Sequence, residues 1–517
     1  MRTSRRLGAT LGVVSAVSGL AVSELLSGLL HQRVSPIIAV AEGVIALTPG
    51  RVAEFFISLV GNNDKPLLIG MTIAGLLVLS AAVGMLALRF VVAAEGAFIA
   101  MGVIAILAVN ARLTSSASTY VPAIVGTVVA IAILAVLAPR AASSVRPEPT
   151  VAAEDEGSWR DHEASRRQFL VLSGALALAA VVAGGTGRFL AHSRTVVEAA
   201  RRRLKLPVQA VSAPPGTQLD VQGIEPWVTS QERFYRIDTA LSVPQILPAD
   251  WELRIHGMVD KEVTVTYQDL LDRGLDDAWI TLCCVSNEVG GDLISNARWS
   301  GVRIADVLAE VGVHNDADAV LSTSEDGWTC GTPLAALTDD RNALLAVAMN
   351  GEPLMPEHGF PVRMVVPGLY GYVSATKWVV DLEVTRFSDF SAFWTDRGWS
   401  QDGPVKTQSR IDVPRAGADL AAGDVAIGGI AWAQHTGIAK VEVRVDDGEW
   451  ADATLGADPS IDTWVQWSHV WSATGGEHDI SVRATDTSGY TQTSALADVV
   501  PDGATGWHTI NVDVSST

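Results

Sequence analysis

Two adjacent cysteines end an apolar stretch in the sequence TLCCVSN, residues 281–287. A cysteine at the end of a strand, followed by small and polar residues, is placed to offer a thiolate, and transition metals prefer such soft ligands. The spacing alone is weak, because no Cys-x-x-Cys or His cluster accompanies the pair, and a buried structural cysteine is the ordinary interpretation. The third cysteine is Cys330. Three cysteines do not make a disulfide framework, although a bridge from either neighbour to Cys330 stays open.

Three further segments carry side chains suited to binding an anion. They are Phe234-Tyr235-Arg236, the sequence HGFPVR at residues 358–363, and Lys377-Trp378. Arg, His and Lys form charge-assisted hydrogen bonds, which are stronger than neutral ones. Without further information, Arg363 and Lys377 are better explained as strand residues in surface salt bridges, which contribute little.

The elements that position these side chains follow from the hydrophobic pattern. Residues 251–257 alternate as in a half-buried strand and end at a glycine. Strands and short helices without regular βαβ alternation predict an α+β domain. After about residue 424 the pattern is purely β, with turns rich in Gly and Asp, which predicts a small antiparallel sandwich. We predict further strands at 263–267, 279–284, 361–367 and 377–384, helices at 269–271 and 304–311, and a boundary between the two domains near 400–415.

Composition divides the chain of 517 residues into two unlike parts. Residues 1–205 carry a net charge of about +7 and residues 206–517 about −27, and all fifteen Trp lie at or beyond Trp159. A basic, apolar front and an acidic, Trp-rich back indicate a membrane part and a soluble part. The acidic back argues against nucleic-acid binding, which requires basic patches.

Four apolar runs, at about 7–30, 66–88, 90–110 and 119–138, are long enough to cross a bilayer, and a fifth lies at 168–190. Residues 35–60 better fit an interfacial or re-entrant segment, because their apolar part is short and contains Glu42. With Arg2, Arg5 and Arg6 before the first span, five spans place the soluble part outside the cytoplasmic membrane. If 35–60 also spans, the count is six and the soluble part is cytoplasmic.

The sequence SRRQFL at 165–170, followed by a moderately apolar stretch, resembles a twin-arginine export signal. That route carries folded, cofactor-loaded domains, so it favours the five-span arrangement. The alternative is an ordinary arginine pair beside a transmembrane helix. Because no Ala-x-Ala cleavage spacing follows, we expect residues 168–190 to remain as an anchor after the polar linker at 141–167.

Taken in order, the Cys loop, the three cationic segments, MNGEPL at 349–354 and WSG at 299–301 resemble the molybdopterin domain of the sulfite oxidase family. The β region, with GIAW at 429–432 and RATD at 483–486, resembles that family's C-terminal dimerisation domain. The resemblance implies a multidomain chain. Its parts are a helical membrane region at 1–140, an α+β molybdopterin-binding oxidoreductase domain at 206–405, and an all-β Ig-like sandwich at 406–517.

The resemblance also assigns roles by position. It implies Mo-molybdopterin as the cofactor and Cys284, rather than Cys283, as the metal ligand. Asn287 would shape the loop, and Arg236 would steer the substrate. The residues that it implies for binding the cofactor are Phe234, Tyr235, Arg236, Asn287, Asp326, His358, Arg363, Ala375, Thr376 and Lys377.

Three departures bear on the substrate. Sulfite oxidases have a Tyr near the metal, and by spacing from Trp394 that catalytic position is here Trp399. The Arg of the loop after the ligand appears as Val289, while Ile237 and Asp238 replace an Asn and a His. Each lost charged hydrogen bond weakens oxyanion binding by about 1.5–3 kcal/mol. The sequence therefore favours an uncharged small-molecule substrate over sulfite.

The expected activity is oxygen-atom or electron transfer at one molybdenum, with the catalytic domain outside the cell membrane. The chain has no Cys-x-x-Cys-His and no iron–sulfur Cys set, so we expect a separate electron partner, either a cytochrome or a quinone-linked protein. A homodimer is expected from the resemblance alone. Two alternatives stay open, namely a reductase of methionine sulfoxide in exported proteins and a non-catalytic exported scaffold that retains the fold.

Overall fold

The computed structural model describes residues 2–30, 32, 35–48, 64–111, 117–143, 167–182 and 193–515. Arg166 of the predicted export signal, most of the predicted polar linker, and residues 49–63 lie outside the described residues. The chain forms two compact units. The first is Met1–Glu198 with Ala240–Gln245, and the second is Ala199–Thr239 with Ile246–Thr517.

The first unit is helical. Four described helices are long and apolar enough to cross a membrane, over Ser4–Leu29, Leu67–Ala87, Val91–Asn110 and Ser118–Ser143, where four of the spans were predicted. The apolar helices over Pro36–Ile45 and Arg167–Val182 are shorter. The full bounds are α1 (Arg2–Leu29), α2 (Pro36–Leu47), α3 (Asp64–Ala87), α4 (Val91–Asn110), α5 (Val121–Ser143) and α6 (Arg167–Val182).

Glycines on α1 allow it to approach two neighbouring helices closely. A Cβ on Gly12 would overlap the backbone of Ser80 on α3, and a Cβ on Gly84 would overlap the backbone of Gly8 and Gly12. Two turns further along α1, a Cβ on Gly19 would lie 2.5 Å from the carbonyl oxygen of Gly126 on α5. Small residues at such crossings bring backbones into van der Waals contact, which stabilises helix pairs in an apolar surrounding.

The second unit contains strands and short helices up to Thr385 and strands alone from Gln408 onward. The predicted division at 405/406 falls between these two strands. The helix at 304–311 is confirmed at its predicted bounds, whereas the predicted strand at 361–367 is only Arg363–Val365. The helices are α7 (Ser193–Arg203), α8 (Tyr267–Asp272), α9 (Ile304–Val311) and α10 (Leu334–Thr338). The strands are β1 (Glu252–Gly257), β2 (Val263–Thr266), β3 (Asp276–Cys283), β4 (Ile294–Arg303), β5 (Ala319–Ser324), β6 (Thr329–Pro333), β7 (Leu344–Met349), β8 (Glu352–Pro353), β9 (Arg363–Val365), β10 (Val379–Thr385), β11 (Gln408–Val413), β12 (Ala418–Ala421), β13 (Gly423–Trp432), β14 (Ile438–Val445), β15 (Ala451–Asp452), β16 (Thr454–Leu455), β17 (Val465–Ala473), β18 (Gly476–Asp486) and β19 (His508–Ser515).

Two sheets carry the predicted site. The first has the order β2-β1-β10-β5-β6, and the second has the order β3-β4-β7-β8 with β9 paired to β7. In the second sheet β3 and β4 are antiparallel, with Cys283 opposite Ile294. The chain between them is therefore a hairpin loop that begins at Cys284. Strand β9 begins with Arg363, which lies opposite Ala346 in β7.

The strands after Gln408 form two further sheets, β11-β13-β17-β16 and β12-β19-β18-β14-β15. Apolar residues from both sheets form a single core, which includes Ile427, Trp467, Val482 and Val512. Two antiparallel-rich sheets that bury one apolar layer between them make a β-sandwich, as the alternating pattern predicts.

Candidate functional site

The two adjacent cysteines face different surroundings. The side chain of Cys283 is buried in an aromatic and aliphatic cluster with Trp227, Tyr370 and Trp432, whereas Cys284 is only half-buried. Successive residues of a strand point to opposite faces, so only one of the two sulfurs can leave the core. The three cysteines are free of disulfides. The structure thus leaves Cys284, the predicted ligand, as the less buried residue of the pair.

The loop after Cys284 is held by its own hydrogen bonds. The Cys284 N–H donates to the Leu293 carbonyl at 2.9 Å, and the Cys284 carbonyl accepts from the Asn287 N–H at 3.1 Å. The Asn287 side-chain oxygen accepts from the Leu293 N–H at 2.8 Å, across the base of the loop. A Cβ on Gly291 would lie 2.7 Å from that same oxygen. Asn287 therefore holds the two ends of the loop together.

Burial raises the pKa of the Cys284 thiol, and hydrogen bonds from the Ser286 backbone and side chain oppose that shift. These donors favour the thiolate, because hydrogen bonds to a charged form lower its free energy. Burial raises the pKa of Cys283 much further. With its pKa raised, each cysteine is a neutral thiol at pH 7. A bound metal ion would stabilise the thiolate form of the sulfur that it contacts.

Aromatic rings surround the cationic segments. Phe234 is buried, stacks on Tyr235 with 5.5 Å between ring centroids, and contacts the rings of Trp299 and His358 edge-on. Tyr235 is half-buried, and its pKa is raised well above the ordinary value by burial and by the charges of Cys284 and Cys283. Tyr235 thus lies within electrostatic range of the predicted metal ligand.

Arg363 is the most unusual cation of the second unit. Its residue is 5 % exposed, and its guanidinium lies 5.1 Å from the centroid of the Trp299 ring. Its N–H groups donate to the carbonyl oxygens of Met364, His358 and Ala375 at 3.3–3.5 Å, and no described carboxylate pairs with it. Burial lowers its pKa to about 10. A buried charge of this kind requires an anionic partner to offset its desolvation.

Lys377 and His358 lie beside Arg363. The Lys377 ammonium donates to the Asp238 carboxylate at 2.7 Å and to the Glu357 carbonyl at 3.2 Å. Burial lowers the Lys377 pKa to about 8, although Asp238 opposes that shift. Burial and the charge of Arg363 lower the His358 pKa to about 4, so this ring is neutral at pH 7. His358 accordingly offers a neutral ring, held by the Gln231 carbonyl at 2.6 Å.

The segment between the short helix at Gly371–Val373 and β10 carries the remaining cofactor candidates. The Ala375 carbonyl accepts from Arg363 at 3.5 Å, and the Thr376 hydroxyl lies 2.6 Å from that of Ser322 on β5. Trp378 has a left-handed backbone with φ of 49° and is fully buried, and the Lys377 ammonium lies 4.7 Å from its ring centroid. Strain of this kind is characteristic of functional segments.

The remaining two predicted residues are Asp326 and Trp399. Asp326 is half-buried in the turn between β5 and β6, where its carboxylate accepts from the Trp328 N–H at 3.3 Å. Trp399 is buried in the cluster that contains Cys283 and contacts the rings of Tyr372 and Trp394. The catalytic role assigned to Trp399 stays a prediction, as does the cofactor contact assigned to Asp326.

Sequence analysis gave no role to three residues that the structure brings into the site. Trp299 lies under the Arg363 guanidinium, Ser286 donates to the Cys284 sulfur, and Asp238 pairs with two cations. Trp299 is the first residue of the WSG motif at 299–301, which carries part of the family resemblance. Its contact with Arg363, however, depends on the pairing of β4, β7 and β9.

Comparison with known proteins places this site in a family. A sequence profile of the oxidoreductase molybdopterin binding domain matches residues 240–394. The uncharacterised oxidoreductase YuiH of Bacillus subtilis is 35% identical over 153 residues, which cover 30% of this chain and 74% of that protein. The chain belongs to this family of molybdopterin-binding oxidoreductases. Family membership makes Mo-molybdopterin its cofactor.

More distant relatives agree with this assignment. Sulfite oxidase of Mus musculus is 29% identical over 329 residues, covering 53% of this chain and 59% of that protein. The chain thus spans about three fifths of the sulfite oxidases that it matches. The sulfane dehydrogenase SoxCD of Paracoccus pantotrophus has the same fold, with a TM-score of 0.51 and 22% identity over 59% of this chain and 88% of that one.

The residues present fit the family's cofactor. An anionic pterin phosphate needs buried cations with free donors, and Arg363 offers a guanidinium that no described carboxylate neutralises. The metal needs a soft protein ligand that can reach out of the core, which Cys284 supplies. The profile match over residues 240–394 does not include four of the predicted site residues, namely Phe234, Tyr235, Arg236 and Trp399.

Arg363 provides a direct test of the anion site. We expect Arg363→Met to leave the cofactor-free chain as stable or more stable, because it removes a buried, uncompensated charge. The same variant should lose most of its molybdopterin during purification. Thermal unfolding of the cofactor-free chain and molybdenum content after gel filtration measure the two effects.

The matched control is Arg410→Met. Arg410 is equally buried, but its guanidinium pairs with the Asp412 carboxylate at 2.7 Å. Removing the Arg410 guanidinium leaves the buried Asp412 carboxylate without its cationic partner, so this variant should be destabilised by about 3–5 kcal/mol. Full cofactor retention by Arg363→Met would contradict the assignment of the anion site.

Proposed function

We propose that this chain is a membrane-anchored molybdopterin-dependent oxidoreductase that carries out oxygen-atom or electron transfer on an uncharged small molecule outside the cytoplasmic membrane. The observation that carries the proposal is the presence, in the same unit, of a half-buried free cysteine, Cys284, and a buried cationic group built around Arg363. Family membership supports the class of reaction, and the features of this chain support the location and the kind of substrate.

In this proposal each residue has a defined task. Cys284 ligates the metal, and Asn287 and Ser286 hold the loop and stabilise its thiolate. Arg363, Lys377 and neutral His358 bind the pterin and its phosphate, with Ala375 and Thr376 fixing the segment before β10 that carries Lys377. Phe234 and Tyr235 form an aromatic wall, and Arg236 lies at its solvent side. When bound, the cofactor supplies the redox chemistry, while the protein binds and orients the reactants.

Electrons must leave or enter through another protein. The sequence contains three cysteines in all, with no Cys-x-x-Cys-His and no cysteine set for an iron–sulfur cluster. We therefore propose a separate electron-transfer partner, either a cytochrome or a quinone-linked membrane protein. A homodimer through the β-sandwich remains a prediction from the resemblance.

The membrane part supports anchoring by length and composition. Four described helices are long and apolar enough to cross a bilayer, and the apolar helix Arg167–Val182 follows them. The described part of 35–60 forms the 12-residue helix Pro36–Leu47, which spans about 18 Å at 1.5 Å per residue, well short of the bilayer core. Arg167–Val182 is also shorter than the four long helices, so the proposal of five crossings rests on the export signal at 165–170 and on the arginines before the first span, and five crossings place the catalytic unit outside the cytoplasm.

A fusion reporter tests the location. We expect alkaline phosphatase joined after residue 515 to be active, because that enzyme folds only in an oxidising compartment outside the cytoplasm. A fusion after residue 143 should be inactive, since the linker is predicted to be cytoplasmic. The opposite pattern, with the first fusion inactive and a fluorescent protein at the same point bright, would place the catalytic unit in the cytoplasm.

Several contacts favour an uncharged substrate. Val289, in the loop that begins at Cys284, is an apolar residue where the resemblance places an Arg. Arg236 donates from Nε to the Asp238 carboxylate at 2.8 Å, so its charge is largely offset by a neighbouring carboxylate. A doubly charged oxyanion would thus meet fewer cationic donors than the resemblance alone implies. Reduction of a sulfoxide, the first alternative, fits this environment better than oxidation of sulfite.

Substrate assays on the purified holoenzyme distinguish these reactions. We expect kcat/KM for an uncharged sulfoxide with a reduced viologen to exceed kcat/KM for sulfite by at least about 100-fold, since two missing charged hydrogen bonds are worth roughly 3 kcal/mol. The sulfoxides tested should include methionine sulfoxide. Sulfite turnover equal to or faster than sulfoxide turnover would overturn the substrate proposal and leave the cofactor assignment intact.

Metal analysis tests the assignment of Cys284. We expect the wild-type chain to contain about one molybdenum per chain, and Cys284→Ala to lose both activity and the sulfur-to-metal charge-transfer absorption. The adjacent Cys283→Ala is the matched control. It removes the same atoms from the buried neighbour, so it should keep the metal and its spectrum at a modest cost in stability. Loss of the charge-transfer band in Cys283→Ala instead would make Cys283 the ligand.

A further inference from the structure

The proposed anion site, formed by Arg363, Lys377, His358 and Arg236, brings together several positive charges, which is unusual for a buried site. Arg236, Arg363 and Lys377 each lower the pKa of His358, and Arg363 and Arg236 also lower the pKa of Lys377. These groups therefore lie within electrostatic range of one another. With His358 neutral, three positive charges share a partly buried region.

One carboxylate lies among these cations. Asp238 accepts from Lys377 Nζ at 2.7 Å and from Arg236 Nε at 2.8 Å, and both donors use the same oxygen, Oδ2. The Asp238 side chain is 4% exposed, compared with 10% for Lys377 and 39% for Arg236. Among the described ion pairs, none joins Arg363 to a carboxylate, so the single negative charge of Asp238 is shared by two of the three cations and leaves an excess of positive charge.

The position of Asp238 has an energetic consequence. Burying two or three like charges without an anion costs several kcal/mol, so Asp238 stabilises the folded chain before any cofactor has bound. A phosphate bound to Lys377 and Arg363 would share Lys377 with Asp238 and would repel its carboxylate. The same residue therefore stabilises the cofactor-free chain and weakens the binding of the cofactor's anionic group.

We propose that Asp238 is an internal counter-anion of the cofactor site, which compensates Lys377 and Arg236 before loading and competes with the cofactor's phosphate for Lys377 afterwards. The inference rests on the proposed function, because it takes the anionic group to be that of the pterin cofactor. It is particular to this chain, in which Asp238 and Ile237 occupy a place where the resemblance puts a His and an Asn.

The test compares wild type with Asp238→Asn in the full-length chain. From the holoenzyme we expect the variant to release its pterin more slowly, on the order of tenfold, because one nearby negative charge has been removed. Release is followed by the fluorescence of the freed pterin after dilution. Raising the salt concentration should narrow the difference, since the effect is electrostatic. In cofactor-free protein the variant should unfold at a lower temperature than wild type.

Asp412→Asn is the matched control, because it lies in a second Arg-Ile-Asp sequence, residues 410–412. There Arg410 Nε donates to Asp412 at 2.7 Å, and Arg410 is otherwise satisfied by the Gly291 carbonyl at 2.9 Å. This variant should release pterin at the wild-type rate, within about twofold. Where Asp238→Asn folds poorly, Asp238→Ser removes the same charge with a smaller side chain and should show the same slower release.

The outcomes separate the inference from the function on which it rests. Unchanged or faster release in Asp238→Asn, with molybdenum still bound in wild type, would overturn the inference alone. Faster release would make Asp238 a residue that holds Lys377 in place for the cofactor. A wild-type chain that purifies without pterin or molybdenum would contradict the proposed function itself.

Discussion

A guanidinium buried without a carboxylate is the constraint on which the site depends. Arg363 is 5 % exposed and is held by three carbonyl oxygens at 3.3–3.5 Å, which engage three of its five N–H donors and do not neutralise its charge. The Trp299 ring at 5.1 Å offsets the cost of burying this charge only in part, and the rest must come from other interactions of the fold. The remaining positive charge favours an anionic ligand, which is why we propose that Arg363 binds the anionic group of the cofactor.

The second constraint is the two-residue period of a strand. Strand β3 ends at Cys283, whose side chain lies in the aromatic core, and the next residue, Cys284, begins the hairpin loop and is only half-buried. Because β4 pairs with β3 residue by residue up to Cys283 and Ile294, the strand pair fixes this register. A shift of one residue would exchange the two sulfurs, so the packed core behind Cys283 also determines which sulfur can reach a metal.

The predicted metal ligand and the cationic residues come from segments far apart in the sequence, which lie at the ends of strands in two different sheets. Cys284 follows β3, Arg363 begins β9, and Lys377 precedes β10, which lies in the other sheet. Tyr235, from the irregular segment before β1, lies within electrostatic range of Cys284 and Arg363 together. An aromatic side chain between the ligand end and the anion end of the site gives both ends a common apolar wall, in which hydrogen bonds and charges act more strongly than in water.

The sequence by itself determined the chemistry and the order of the parts. Apolar runs long enough to cross a bilayer, strand alternation and the helix at 304–311 are local patterns, and local patterns are legible without tertiary contacts. Motif order also pointed to Cys284, His358, Arg363 and Lys377. The tertiary structure alone decided that Arg363 has no described carboxylate partner while Lys377 and Arg236 share Asp238, and that Trp299 lies beside the guanidinium. Those facts depend on which distant residues meet, and charge compensation is a property of the assembled site that no single segment contains.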